Sequence, residues 1–270
     1  MSEVGQLVEE RSELEALNAA GLAPTKTALF VGAPGVGKTL AANWVAASLD
    51  LPLMTLNLAS VMSSYLGKTG TNLKQVLDFA RSNPGVLFLD EIDAVAKRRD
   101  DIGDVGELKR LVNVLLQEID TWPEGTLLLA ATNHPDLLDP AIWRRFESVI
   151  QFDLPNDEII RTHLGSVLGG VSLSKDLETA LAVSYSASTL SDLQRDVRRV
   201  WRASIVTQQP LDEVLWNLVE GQLKALSRTS RIEQSERLLK AGLSQRSVQK
   251  LTGTSRDTLR SRGTNEEGRN

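Results

Sequence analysis

The sequence predicts an α/β fold, in which a parallel sheet carries helices on both faces and is followed by an all-helical part. Two patterns predict it. Short apolar segments of strand length alternate with segments of helical periodicity up to residue 154, which is typical of strand–helix–strand units with right-handed crossovers. After Pro155 the apolar segments stop and only helical periodicity remains. We therefore predict an N-terminal helix at 1–23, an α/β subdomain at 24–154, an all-helical subdomain at 155–226 and a helical tail at 227–270.

Composition places the chain among ordinary globular proteins and excludes several kinds of site. The 270 residues are 41% hydrophobic and 24% charged, which supports a sizeable core and excludes wholesale disorder. There is no cysteine and there are two histidines, so disulfide scaffolds, iron–sulfur clusters, cysteine nucleophiles and thiolate zinc sites are excluded. No segment is apolar over the length of a membrane span, and the acidic start of the chain is unlike a secretory signal. We therefore expect a cytoplasmic protein without a membrane partner.

The predicted elements follow in chain order. An amphipathic pattern at 5–19 predicts the N-terminal helix. Five strands, each bounded by Gly, Pro, Asn or Asp, are predicted at 28–32, 51–57, 85–91, 126–132 and 148–154. Three of them are apolar throughout, as expected of strands buried on both faces. Helical patterns lie between and after them, at 38–49, 70–82, 105–120, 139–146, 157–168, 176–184, 190–207 and 211–226. The segment 227–231 is predicted to be a linker.

A glycine-rich motif, GAPGVGKT, joins the first predicted strand to the helix that follows it and fits G-x-x-x-x-G-K-[ST]. Glycines let the backbone aim successive N–H groups into one concavity, and the following helix adds the positive end of its dipole. The lysine supplies a charge for the β- and γ-phosphates, and the threonine hydroxyl can ligate Mg²⁺. The alternative is a plain glycine-rich turn. We predict a site for ATP and Mg²⁺ at Gly32, Ala33, Pro34, Gly35, Val36, Gly37, Lys38 and Thr39.

Two adjacent carboxylates, Asp90 and Glu91, end the apolar segment VLFLDE. Because the carboxyl ends of parallel strands meet at one edge of a sheet, we expect both beside the phosphate loop. Neighbouring strand residues point to opposite faces, so the two carboxylates can have different tasks. Asp90 is predicted to hold Mg²⁺ through water, and Glu91 to polarise the attacking water. The alternative is a solvated strand end.

With these motifs the chain resembles the AAA+ ATPases, and within them the AAA clade that includes spastin and katanin, over roughly residues 20–226. The segment LLLAATNHPDLLDPAIWRRFESVIQFDLP resembles the clade's second region of homology. The resemblance implies that Asn133 is a sensor that contacts the γ-phosphate and the attacking water. It implies that Arg144 and Arg145 are paired arginine fingers acting on a neighbouring subunit of a homo-oligomeric ring, a hexamer. A solvated or structural basic pair is the alternative.

A further segment, SSYLGKTGTNLKQVLDFA, resembles the AAA pore loop. The resemblance implies that Tyr65, Leu66 and Gly67 face a central channel and grip an extended polypeptide; the alternative is that Tyr65 and Leu66 are core residues of a loop. The helical part 155–226 resembles the AAA lid, but Ser188, Thr189 and Leu190 stand where the family shows a glycine. Adenine contacts and a second sensor arginine are therefore left unassigned.

The tail resembles the helix-turn-helix units of transposases and resolvases, with helix signals at 232–241, 244–251 and 255–262 and a disordered polar end. From Ser227 onward there are ten Lys/Arg and five Asp/Glu, against 20 and 30 in the remainder. Such a basic tail on an acidic chain favours an anionic partner. We predict DNA contacts there, by Arg256, Thr258 and Arg260 and also by Lys250 and Arg262. A helical appendage for protein contacts is the alternative.

The leading interpretation is an ATP-hydrolysing ring that grips polypeptide in its pore and pulls it. The tail would localise this ring to DNA or to a DNA-bound client, or the ring would feed a separately encoded protease, since this chain has no protease motif. The alternative is a DNA-binding AAA+ regulator or mobile-element ATPase that uses ATP as an assembly switch. A monomeric NTPase switch is a third reading, and paired fingers argue against it.

Overall fold

Strands and helices alternate along the first of the two units into which the chain divides, Met1–Asp153 and Leu154–Asn270. A computed structural model describes residues 2–60, 69–96 and 105–255. The strands of the first unit are β1 (Thr27–Gly32), β2 (Leu53–Asn57), β3 (Val86–Asp90), β4 (Leu127–Thr132) and β5 (Ser148–Phe152). Its helices are α1 (Glu3–Ser12), α2 (Leu14–Ala19), α3 (Lys38–Ser48), α4 (Thr69–Ser82), α5 (Asp93–Ala96), α6 (Val105–Asp120) and α7 (Pro140–Trp143), with a short 3₁₀ turn at Pro135–Leu137.

The sheet is parallel in every described strand pair, and its strands lie in the order β2–β3–β4–β1–β5. The three central strands, β3, β4 and β1, are apolar except at their ends, and they are almost entirely buried. Since neighbouring residues of a strand point to opposite faces, the central strands feed two cores. The parallel α/β fold that the sequence predicts is confirmed.

Each face of this sheet is covered by helices. On one face, Leu29, Leu87 and Leu128 pack with apolar residues of α4 and α6, among them Leu73 and Leu115. On the other face, Phe30, Phe88 and Leu129 pack with residues of α1 and α3, among them Leu7 and Val45. Because the strands are parallel, all of them begin at one edge of the sheet and end at the opposite edge. Residues that follow the strands therefore lie together at that second edge.

The second unit is helical throughout its described residues, with α8 (Asp157–Val167), α9 (Lys175–Ser184), α10 (Leu190–Thr207), α11 (Leu211–Ala225), α12 (Arg228–Lys240) and α13 (Gln245–Thr252). Most of these helices begin at a side-chain cap that accepts a backbone N–H of the first turn, which satisfies a donor that the helix itself leaves free. The caps are Asn156, Ser174, Thr189, Ser227 and Ser244.

Three predicted boundaries are wrong. The linker predicted at 227–231 is instead the N-cap and first turn of α12, because Ser227 accepts the N–H of Ser230 at 3.2 Å. The tail also shares a core with the preceding helices, since Leu238 and Val248 are fully buried among residues of α8 to α11. The helix predicted at 139–146 ends at Trp143, so both predicted fingers lie in the turn that follows. The predicted N-terminal helix is broken at Glu13 into α1 and α2.

Within residues 2–60, 69–96 and 105–255, no helix is both long and apolar enough to cross a membrane.

Candidate functional site

The polar residues predicted to handle phosphate collect at the edge where the strands end. The glycine-rich loop leaves β1 at Gly32, Asp90 ends β3, and Asn133 follows β4. Strand β2 ends at Asn57, which is the register partner of Asp90 in the neighbouring strand. One sheet edge therefore brings together the glycine-rich loop, the acidic pair and the predicted sensor residue.

The glycines of the loop serve two different purposes. Gly35 and Gly37 have φ angles of 80° and 112°, a region that side chains rarely adopt and that turns the chain sharply into α3. Gly32 has no room for a side chain, because a Cβ there would lie 2.3 Å from the carbonyl oxygen of Phe152 on β5. The loop conformation therefore depends on glycine at these positions.

Lys38 lies under this loop and is 6% exposed. Its Nζ donates to the carbonyl oxygens of Gly32 at 2.7 Å and Ala33 at 2.9 Å, and to Oδ1 of Asn133 at 2.7 Å. Burial lowers the pKa of Lys38, and the charges of Asp90 and Asp93 counter part of that shift. A bound phosphate supplies the anionic partner that favours the charged lysine.

The acidic pair occupies two environments. Burial raises the pKa of Asp90, and the neighbouring carboxylate Glu91 adds to that effect, while a backbone hydrogen bond opposes it. Glu91 has a φ of 56°, a conformation that is costly for a residue with a side chain and is found at functional sites. Its Oε2 accepts a hydrogen bond from Nδ2 of Asn57 at 3.0 Å. The backbone therefore turns at Glu91, and Asn57 fixes the carboxylate.

Asp93, which is not among the predicted site residues, holds the predicted sensor residue Asn133 in place. It is 7% exposed, and its Oδ1 accepts from the hydroxyl of Thr132 at 2.9 Å and from the N–H of Asn133 at 3.3 Å. The backbone of Asn133 is held from one side while its side chain meets Lys38 from the other. A signal was present, since Asp93 is the last acid of the run DEID at 90–93.

The donor set at this edge fits Mg²⁺. Thr39 is exposed in the first turn of α3, and Asp90 is the last residue of β3 at the same edge of the sheet. Magnesium prefers oxygen ligands and is held in nucleotide sites by one or two protein oxygens together with phosphate and water. A hydroxyl and a carboxylate are thus the protein ligands that such a site requires.

The predicted fingers lie at the opposite edge, where the strands begin. Arg145 follows α7, and its carbonyl oxygen accepts from the hydroxyl of Thr27, the first residue of β1, at 3.5 Å. Its guanidinium forms an ion pair with Asp120, the last residue of α6, and that hydrogen bond raises the pKa of Arg145. Arg144 and Arg145 both line a cleft at this edge, together with Lys26 and Glu147.

The two edges are separated by the length of β1. From Thr27 to Gly32 the strand advances five residues, or about 16 Å at roughly 3.3 Å per residue. An arginine side chain does not span that distance. Neither predicted finger can therefore reach the phosphate loop of its own chain.

Several predicted site residues lie outside the described residues. They are the proposed pore residues Tyr65, Leu66 and Gly67 and the proposed DNA contacts Arg256, Thr258, Arg260 and Arg262. Lys250 is described, and it is exposed on α13 beside other polar residues.

Comparison with known proteins bears on the same region. A model of the ATPase family associated with various cellular activities (AAA) matches residues 28–154. The chain is 40% identical over 205 residues to an uncharacterized AAA family ATPase of Sinorhizobium fredii, a match that covers 75% of this chain and 61% of that protein. It is 30% identical to a probable 26S proteasome regulatory subunit 10B of Caenorhabditis elegans, covering 71% and 53%. It is 31% identical to the ATP-dependent zinc metalloprotease FtsH 2 of Symbiobacterium thermophilum, covering 87% and 43%. The chain thus spans less than two thirds of each relative.

Proposed function

We propose that residues 28–154, which match the model of the AAA ATPase family, form an AAA ATPase domain, and that the protein hydrolyses ATP to drive the remodelling of a polypeptide. One observation carries the proposal. Buried Lys38 meets Asn133 across the phosphate loop, beside the paired carboxylates Asp90 and Glu91. A cation for the phosphates, a polar sensor and a base for water therefore share one sheet edge.

The reaction follows from the residues at that edge. The N–H groups of the loop and Lys38 bind the β- and γ-phosphates. Thr39 and Asp90 would hold Mg²⁺, which would neutralise charge on the phosphate oxygens. Glu91 orients the attacking water and accepts its proton as the water oxygen bonds to the γ-phosphorus. The bond from that phosphorus to the bridging oxygen breaks, and ADP leaves. Asn133 keeps the γ-phosphate and the water in line.

A neighbouring copy completes this site. Arg144 and Arg145 lie about 16 Å from their own phosphate loop, counted along β1 at roughly 3.3 Å per residue, so they act on the nucleotide of the next subunit. Heterologous contacts of this kind close into a ring when the rotation fits, and we propose a hexamer. The RRF sequence at 144–146 also favours a place beside spastin and katanin within the family.

Polypeptide is the proposed substrate, and we propose that it enters the central pore of the ring. Tyr65, Leu66 and Gly67 are the residues proposed to grip it there. Two observations support this proposal: the sequence of 63–80 resembles a pore loop, and relatives of the domain include a proteasome subunit and ATP-dependent metalloproteases by name. A separately encoded protease would take the pulled polypeptide.

A second candidate is a DNA-binding AAA+ regulator or mobile-element ATPase. The observation in its favour is that Gly242 turns the chain at a φ of 99° between α12 and α13. The recognition helix predicted at 255–262 lies, from residue 256 onward, outside the described residues. Arg246 and Lys250 are exposed on α13, so a basic surface is available to an anionic partner. In this reading ATP acts as an assembly switch.

The macromolecule that stimulates ATP hydrolysis separates the two candidates. We expect turnover to rise several-fold with an unfolded polypeptide, such as permanently unfolded casein, and to stay unchanged with duplex DNA at the same concentration. Tyr65→Ala should abolish this stimulation and leave unstimulated turnover intact, while Tyr65→Phe, which keeps the ring, should retain it. Stimulation by duplex DNA alone would support the second candidate and contradict polypeptide remodelling.

A further inference from the structure

An ion-pair cluster around a buried carboxylate, outside the nucleotide site, joins α4 to the end of α6. Glu118 is 8% exposed, although a carboxylate is rarely buried without partners. It accepts from Nζ of Lys74 at 2.8 Å and forms a second ion pair with Arg81. Both cations come from α4, so one carboxylate on α6 ties down two points of that helix.

Arg81 extends the cluster past the end of α6. Its second nitrogen donates to the carbonyl oxygen of Thr121 at 2.6 Å, and its guanidinium carbon lies 6.0 Å from the ring centroid of Trp122. The span 118–122 is thus held to α4 by an ion pair, a backbone hydrogen bond and a cation–π contact. Burial raises the pKa of Glu118, and Lys74 and Arg81 together lower it by more, so the carboxylate is ionised at neutral pH.

The residue at the centre of this span contacts the finger. Asp120 lies two positions after Glu118 and forms the ion pair with Arg145. A shift in the last turn of α6 moves Asp120, and with it the guanidinium of Arg145. Charge-assisted hydrogen bonds are directional, so a small displacement is sufficient to misalign the finger.

We infer that Glu118 is a positioning residue for Arg145: it anchors the end of α6 to α4 and so sets the direction in which Asp120 presents the finger to the neighbouring subunit. The inference rests on the proposed action of Arg145 in trans. It assigns Glu118 an effect on the neighbour's chemistry and none on nucleotide binding in its own chain.

The test is the isosteric change Glu118→Gln. We expect turnover to fall about tenfold while the affinity for ATP stays within about twofold, since loss of an aligned transition-state contact lowers kcat and leaves ground-state binding intact. Asp78→Asn is the matched control. Asp78 also pairs with Lys74, at 3.4 Å, but it is 54% exposed, so turnover should remain within about twofold of wild type.

Mixing distinguishes positioning from general damage. Glu118→Gln subunits are mixed in equal amounts with Glu91→Gln subunits, which keep their fingers. At a quarter of the positions, a site with an intact Glu91 then lies next to an intact finger. Turnover should therefore recover to about a quarter of wild type. A defect confined to the variant's own site would give only about a twentieth. Recovery to about a quarter of wild-type turnover supports the assignment. Three results would overturn it: turnover of the mixture near a twentieth of wild type, unchanged turnover of Glu118→Gln alone, or weakened ATP binding.

Two further measurements keep the outcomes separate. If Glu118→Gln does not fold, as judged by circular dichroism, Arg81→Gln removes the ion pair between Arg81 and Glu118 and leaves the pair between Lys74 and Glu118. Turnover of Arg81→Gln should recover in the same way on mixing with Glu91→Gln subunits. Arg145→Ala mixed with Glu91→Gln is the reference. If Arg145→Ala recovers and the Glu118 variant does not, the positioning role is wrong. If neither recovers, action in trans is contradicted, and the role of Glu118 falls with it.

Discussion

Lys38 and Glu91 share a sheet edge, but their surroundings prepare them for opposite tasks. Lys38 is buried and donates to two carbonyl oxygens and to Asn133, an arrangement that aims a cation at an anion. Glu91 is held by Asn57 and by a left-handed backbone, an arrangement that suits its proposed role as the base. Substitutions at the two residues should therefore separate binding from chemistry.

Glu91→Gln should bind ATP with Mg²⁺ but turn it over about 10²- to 10⁴-fold more slowly, because the water loses its base. Lys38→Ala should weaken ATP binding about tenfold or more, because the phosphates lose a charge-assisted donor. Lys26→Ala is the matched control, since Lys26 lies at the other end of β1, and its ATP affinity should be unchanged. Titration of a fluorescent ATP analogue and phosphate release measure the two properties. Turnover of Glu91→Gln within a few-fold of wild type would remove its proposed role.

Among individual residues, the sequence indicated those that belong to a recognisable motif. It did not indicate the residues that hold the motif residues in place. GAPGVGKT and VLFLDE are local patterns, and the sheet edge that unites them follows from parallel strands. Asn57, Asp93 and Asp120 act through partners 34, 40 and 25 residues away. Local periodicity does not carry such pairings, although Asn57 could have been found as the polar end of a strand at the same edge.

The elements of the second unit show where periodicity succeeded and where it failed. Helices α8 to α11 begin and end within two residues of their predicted limits, because caps and apolar spacing are both local signals. The polar segment SRTSR at 227–231 looks like a linker by composition alone. It is helical because Ser227 caps it and Arg231 donates to the carbonyl oxygens of Lys224 and Leu226 at 2.8 and 2.9 Å.

Leu238→Ala tests whether α12 belongs to the core of the second unit. Leu238 is fully buried, so its truncation should lower the free energy of unfolding by about 2–5 kcal/mol. Val206→Ala, at a residue that is 82% exposed on α10, should change it by no more than about 0.5 kcal/mol. Urea unfolding followed by circular dichroism measures both. An equal effect of the two changes would mean that α12 contributes nothing to this core.

For the whole molecule, the decisive feature is that the proposed fingers and the phosphate loop occupy opposite edges of one sheet. Arg145 meets Thr27 at the beginning of β1 and Lys38 follows its end. Under the proposed function, a single chain therefore holds two halves of a reaction centre that cannot meet within it. The proposal makes activity a property of the assembly, which should depend on which subunit carries which half.

Turnover of mixtures of Arg145→Ala and Glu91→Gln subunits, measured against their ratio, tests this claim most directly. Each protein alone should be nearly inactive, the first because it lacks a finger contribution of about 10³–10⁵ in rate and the second because it lacks its base. In a mixture, an intact site meets an intact finger with a frequency equal to the product of the two fractions. Action in trans predicts a bell-shaped curve that reaches about a quarter of wild-type turnover at equal amounts. A flat line near zero at every ratio, with mixed assemblies verified by native mass spectrometry, would contradict it, and so would wild-type turnover by Arg145→Ala alone.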